Sequence, residues 1–160
     1  MALMRPTLLA ALLGAVPLMS QTANYSAERV TGLGIEVLAL RDARAKTEVR
    51  IAPTAGNNAY SMKVNGQEIF FFPQSSVAEW AARPVMAGNP FLAPWANRID
   101  GESYWVNGKH YRLNPDLGAY RKDGNGLPIH GLLVNAKDWD VVALQASDAD
   151  GAVATSRLTH

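Results

Sequence analysis

Three polar side chains stand in two segments that are rich in Pro, Gly and aromatic residues. Asn97 and Arg98 close the stretch GNPFLAPWANRI, and His130 lies in GLPIHGL. The guanidinium of Arg offers five N–H donors in a rigid fork, and the amide of Asn both donates and accepts. That combination suits vicinal hydroxyl groups. His130, between Ile129 and Gly131, could be a neutral hydrogen-bonding partner or a proton-transfer group near neutral pH.

Structural roles are open for the same side chains. Arg98 could instead form a salt bridge or cap main-chain carbonyls, and a lone His beside apolar residues is often a satisfied structural residue. His110 falls inside a strand-like run. No His or carboxylate cluster has metal-ligand spacing, and no Ser has the context of a nucleophile. The chain has no Cys, so thiolate chemistry is excluded. Asp138 and Asp140 are interpreted as a solvated strand face.

The elements that must position these groups are strands and turns. Residues 48–51 and 60–64 alternate polar and apolar types, which predicts strands with one buried face. Asn65-Gly66 and Asn107-Gly108 tolerate the positive φ of type I′ turns, so each predicts a tight hairpin. The second hairpin joins residues 103–106 to 109–113. A third pairs 139–144 with 152–158 about the polar turn 147–151.

Two long segments, residues 73–99 and 114–129, are rich in Pro, Gly and Asn and are predicted to be irregular. Long irregular loops in compact domains are often functional. No window after the N-terminal segment holds a sustained period of 3.6 residues. The sequence therefore predicts an all-β fold.

Length and composition limit the classes of protein to which the chain could belong. The 160 residues suffice for one domain, and 48% hydrophobic with 18% charged residues is typical of a folded protein. A formal net charge of +1 without a basic stripe gives no reason to expect a nucleic-acid partner. Four Trp and five Tyr supply flat faces that pack against sugars as well as in cores.

The N-terminus predicts export. Arg5 precedes the apolar run TLLAALLGAV, which is about half the roughly 20 residues that a membrane span needs, and a small polar exit follows. We interpret residues 1–23 as a signal peptide, giving a periplasmic or secreted protein with no stable membrane anchor after cleavage. The alternative is an ordinary buried helix.

Taken in chain order, these segments resemble the aldose 1-epimerases, or mutarotases. The resemblance rests on PFLAPWANRIDGESYWVNGKHYRLN followed by GLPIHGLL and extends weakly back to about residue 34. It implies a large antiparallel β-sandwich with an open sugar cleft and no cofactor or metal. The implied reaction interconverts the α and β anomers of a free aldose such as galactose or glucose. Asn97, Arg98 and His130 would bind this monosaccharide, and His130 would be catalytic by orienting it and polarising its oxygens.

The sequence departs from the family pattern in its proton-transfer groups. The resemblance implies a late Glu as base and a second, downstream His as acid, and neither has a counterpart here; His160 lacks the flanking pattern. We therefore expect residues 28–160 to be the N-terminal portion of an epimerase domain, apparently truncated and inactive alone. The alternative is a non-catalytic carbohydrate-binding protein of the same ancestry.

Overall fold

The computed structural model describes residues 23–31 and 33–160. The predicted signal peptide, residues 1–23, lies outside this part of the chain except for its last residue. Within the described ranges, no helix has both the length and the apolar character needed to cross a membrane.

The largest element is an antiparallel sheet of five strands that follow one another in chain order. Its strands are β1 (Tyr25–Val30), β2 (Val37–Asp42), β3 (Thr47–Ala52), β4 (Asn58–Val64) and β5 (Gln67–Glu68). Asn65 and Gly66 join the last two strands with φ of 52° and 82°, so the first predicted hairpin is confirmed. Its second strand is only two residues long, because the chain leaves the sheet after Glu68.

Two separate hairpins follow in the chain. Strands β6 (Ser103–Val106) and β7 (Lys109–Arg112) meet at Asn107 and Gly108, whose φ values are 52° and 72°. Strands β8 (Asp140–Ser147) and β9 (Gly151–Arg157) form the other hairpin, which lies against β1 and β2. The main-chain and side-chain amides of Asn24 both donate to Asp148 Oδ1 over 3.2 Å and tie this hairpin to the start of β1. The prediction of an all-β fold built from antiparallel sheets is confirmed.

A short helix interrupts the first segment that we predicted to be irregular. Helix α1 (Val77–Ala82) begins after Ser76, whose hydroxyl accepts from the main-chain N–H of Glu79 over 3.1 Å. It buries only Val77 and Trp80. Six residues with two buried positions are too few to produce a visible helical period, which explains why the sequence pattern missed it.

The hydrophobic core lies where this helix meets the main sheet. Its buried members are Val37, Ala52, Ala55, Tyr60, Val77, Trp80 and Ala87. The ring of Phe72 bridges Tyr60 and Trp80, with centroid distances of 5.2 and 5.9 Å. Just beyond the helix, Asn89 donates its main-chain N–H to Ala59 on β4 over 2.9 Å. The core thus anchors the start of the loop that carries Asn97 and Arg98.

Candidate functional site

Main-chain hydrogen bonds bring the two predicted segments side by side. The N–H of His130 donates to the Asn97 carbonyl over 3.2 Å, and the N–H of Ile99 donates to the Pro128 carbonyl over 3.0 Å. Arg98 consequently lies opposite Ile129 in an antiparallel pairing. Asn97, Arg98 and His130 therefore lie in one cluster, which a shared ligand would require.

The backbone at His130 and Gly131 has an uncommon conformation. Both residues have positive φ, 65° and 71°. A Cβ at Gly131 would lie 2.1 Å from the carbonyl oxygen of Ala93, so only glycine fits there. The next amide, that of Leu132, donates to the same Ala93 carbonyl over 2.7 Å. Gly131 thus allows the chain at Ala93 to approach the His130 segment closely.

One ring nitrogen of His130 is committed to the protein. Its Nδ1 lies 2.9 Å from the carbonyl oxygen of Ala96. A carbonyl can only accept, so this hydrogen bond requires a proton on Nδ1. In the neutral ring, Nε2 then carries a lone pair. His130 is half-buried, and Nε2 can accept a hydrogen bond from a ligand hydroxyl.

Arg98 forms a salt bridge, the structural alternative that the sequence left open. Its Nε donates to Asp123 Oδ2, and its Nη1 donates to Asn97 Oδ1 over 3.3 Å. The Arg98 side chain is nevertheless 48% exposed, whereas that of Asp123 is 9% exposed. Within the described ranges, no acceptor is bonded to Nη2. The salt bridge and a ligand contact are therefore compatible.

Asp123 was missed by the sequence analysis. Its Oδ1 accepts from the main-chain N–H groups of Asn125 and Leu127 over 2.9 and 3.0 Å. The hydrogen bond from Arg98, followed by the one from Leu127, holds the pKa of the Asp123 carboxyl below its usual value. The signal was in the sequence: Asp-Gly-Asn-Gly is typical of a turn closed by an Asp side chain.

The family model described as aldose 1-epimerase matches residues 38–160. The chain belongs to the aldose 1-epimerase family. The matched range begins in β2 and includes Asn97, Arg98, Asp123 and His130. Comparison with curated proteins finds no significant match.

The other two histidines of this epimerase-family chain do not bond to the cluster in the described structure. His110 is a residue of β7, as predicted, and its ring stacks on Trp105 with a centroid distance of 4.7 Å. His160 lies beside Gly118 and Leu132 and lines an open groove with Lys137 and Asp138. Asp138 and Asp140 are exposed, which agrees with their interpretation as a solvated face.

The groups of the cluster that stay free of protein contacts are hydrogen-bonding groups. Across residues 23–31 and 33–160, no three His, Asp or Glu side chains gather closely enough to hold a metal ion. What the cluster offers is an Asn amide, the Nη2 group of a guanidinium and a lone pair on His130 Nε2. These groups can orient a sugar and polarise its oxygens.

Proposed function

We propose that Asn97, Arg98 and His130 bind a free aldose such as galactose or glucose for interconversion of its α and β anomers. The observation that carries this proposal concerns the polar atoms of His130 and Arg98: in each side chain, one of them bonds to the protein and another stays free. His130 uses Nδ1 internally and leaves Nε2, and Arg98 uses Nε and leaves Nη2. Groups held in this way are preorganised, so little rotamer freedom is lost when the sugar binds.

Anomer exchange requires two modest proton transfers. A base removes the proton of the C1 hydroxyl while an acid protonates the ring oxygen, and the bond from C1 to that oxygen breaks. The open aldehyde rotates about the C1–C2 bond, and the reverse steps close the other anomer. In this scheme Arg98 donates to a sugar oxygen and His130 Nε2 accepts from a hydroxyl, so both stabilise the bound orientation and its polarised oxygens.

The ionisable groups around the cluster suggest what the isolated chain does. Apart from Arg98 and His130, the only ionisable side chain that bonds to the cluster in the described ranges is Asp123. Its two carboxylate oxygens already accept three hydrogen bonds. We therefore expect the 160-residue chain to bind the sugar without accelerating anomer exchange.

Binding is tested by titrating the purified chain with D-galactose and following ligand-observed NMR. Arg98→Ala should weaken binding by about 10-fold or more, the usual effect of losing a hydrogen bond from a charged group. Arg29→Ala removes an exposed guanidinium of β1 that pairs with Glu36, and the variant should bind galactose as the unaltered protein does. Unchanged affinity in Arg98→Ala would refute the proposed site.

The second candidate function is sugar binding without catalysis. It is favoured by the same absence of a free acid and base bonded to the cluster within the described ranges. Polarimetry of freshly dissolved α-D-galactose tests whether the chain itself supplies proton-transfer groups. Anomer exchange that is clearly faster than in buffer would contradict both the non-catalytic alternative and our expectation for the isolated chain.

We also propose that the protein is exported, on the basis of the charged and apolar pattern of residues 1–23. Fractionation of producing cells followed by N-terminal sequencing tests this. A mature chain that begins near residue 23 in the exported fraction is expected. A cytosolic product that retains Met1 would contradict export.

A further inference from the structure

Asp123 uses both carboxylate oxygens, and it uses them for different purposes. Oδ1 accepts from the main-chain amides of Asn125 and Leu127 and closes a turn. Oδ2 accepts from Arg98 Nε. One side chain therefore couples the shape of the loop before His130 to the orientation of a guanidinium in the sugar site.

The contacts of Arg98 occupy both of its anion-binding edges. A guanidinium binds a carboxylate or phosphate best through two parallel N–H groups, either Nε with Nη2 or Nη1 with Nη2. Asp123 engages Nε, and Asn97 Oδ1 lies 3.3 Å from Nη1. An acidic ligand could form a two-point contact only by displacing one of them. A hydroxyl or ring oxygen needs one donor, and Nη2 can provide it.

The charges near Arg98 likewise disfavour an acidic ligand. Asp123 neutralises Arg98, and the adjacent Lys122 pairs with Glu102. Arg121 lies on the neighbouring segment, and its Nη2 is 3.3 Å from Met86 Sδ. The cation nearest the proposed sugar contact is thus cancelled by a carboxylate that is itself largely shielded from solvent.

From this arrangement we infer that Asp123 determines specificity: it makes the site select neutral aldoses over acidic sugars such as uronic acids. It is a positioning residue, because it acts on the ligand through Arg98. The inference rests on the proposed function, since it requires that Arg98 contact the sugar.

Asp123→Asn is expected to retain one role of the carboxylate, closing the turn, and to remove the other, holding Arg98. An amide has a single acceptor oxygen, which can serve either the turn or Arg98. When that oxygen accepts from Asn125 and Leu127, the NH2 group faces the guanidinium and cannot accept from it. The variant should therefore keep the turn, release Arg98 Nε and leave a net positive charge in the site.

The experiment compares the affinities for D-galactose and D-galacturonate, which differ in the acid group at C6, by ligand-observed NMR at low and high salt. The unaltered chain should prefer galactose. Asp123→Asn should shift the affinity ratio toward galacturonate by about fivefold or more at low salt, and added salt should reduce the shift. Glu36→Gln, which likewise removes one carboxylate but from the exposed pair with Arg29 of β1, should leave the ratio unchanged.

The outcomes distinguish this inference from the proposed function. If the unaltered chain binds neither sugar, or Arg98→Ala binds as well as it does, the proposed function fails. If galactose binds through Arg98 but Asp123→Asn leaves the ratio unchanged, only the role of Asp123 is refuted. Should Asp123→Asn not fold, Asp123→Ser repeats the test, because a Ser hydroxyl can close a similar turn without holding Arg98.

Discussion

The main-chain N–H of His130 donates to the carbonyl oxygen of Asn97 over 3.2 Å, and this contact aligns the two polar segments of the site. The side chain of His130 adds a second contact through Nδ1 to the Ala96 carbonyl. Both acceptors are main-chain atoms. Because the geometry is fixed largely by the backbone, substitutions can alter what the side chains offer a ligand while retaining the segments in place.

The close approach at Gly131 predicts a severe effect of Gly131→Ala. The new Cβ would lie 2.1 Å from Ala93 O, and φ is 71°. We expect the free energy of unfolding to fall by about 2 kcal/mol or more, measured by urea denaturation with Trp fluorescence.

Gly108→Ala is the matched control for that variant. Gly108 has nearly the same φ, 72°, but a Cβ there would meet no atom within 4 Å. Only the conformational strain should remain, about 1 kcal/mol. Equal destabilisation by the two substitutions would show that the contact with Ala93 is unimportant.

A charged cluster on the main sheet predicts a pH-dependent stability. Glu48 accepts from Arg41 Nε over 2.5 Å and from Arg50 Nε over 2.6 Å. Burial raises the pKa of the Glu48 carboxyl, but the hydrogen bonds from Arg50 and Arg41 outweigh burial and leave the pKa below its usual 4.5. Because folding lowers this pKa, the stabilisation is complete at a pH above the pKa of the unfolded state. It is lost as the pH falls through the pKa of the folded state.

We therefore expect Glu48→Gln to lower the free energy of unfolding by about 1 kcal/mol at pH 7. The difference from the unaltered protein should shrink as the pH falls below 4.5. Glu36→Gln removes the carboxylate of the more exposed Arg29 pair and should have a smaller effect. Urea denaturation at several pH values measures both, and a Glu48→Gln difference that persists unchanged at low pH would contradict the assignment.

The start of α1 offers a comparison between two neighbouring serines. Ser76 Oγ accepts from the Glu79 main-chain N–H, whereas Ser75 Oγ donates to the Glu79 side chain over 2.6 Å. Ser76→Ala should destabilise the protein by about 1 kcal/mol, because it leaves a helix N–H without its cap. Ser75→Ala should change the stability by less than about 0.5 kcal/mol. Thermal unfolding would contradict the capping role if both variants behaved alike.

Features that depend on adjacent residues were predictable from the sequence. The turns at Asn65-Gly66 and Asn107-Gly108 were found because their positive φ values are demanded locally. The family resemblance is confirmed by the matching family model, whereas the roles of Asn97, Arg98 and His130 in binding a ligand stay predictions.

The contacts that connect distant residues were not predictable in the same way. The sequence offered several acidic partners for Arg98. Asp123 comes beside Arg98 because residues 127–129 pair with both segments, through the bridges Arg98–Ile129 and Lys122–Pro128. Likewise, the commitment of His130 Nδ1 depends on the path of a Pro-containing loop that ends at Ala96. Neither relationship has a period or a local turn motif that would reveal it.

The two ring nitrogens of His130 have different partners, so we expect His130→Asn to keep the structural contact and lose the ligand contact. The amide NH2 of Asn can occupy the place of Nδ1 and donate to the Ala96 carbonyl, and Asn tolerates the positive φ of 65° at this position. It has no group in the place of Nε2. We expect the free energy of unfolding to change by less than about 1 kcal/mol.

Galactose affinity should fall by about fivefold or more in the same variant, because a ligand hydroxyl loses its acceptor. His130→Ala provides the contrast, since it removes both nitrogens and should lose stability as well as affinity. If His130→Asn retained full affinity, Nε2 would not contact the sugar. If it unfolded as readily as His130→Ala, the Nδ1 contact would not explain how the ring is held.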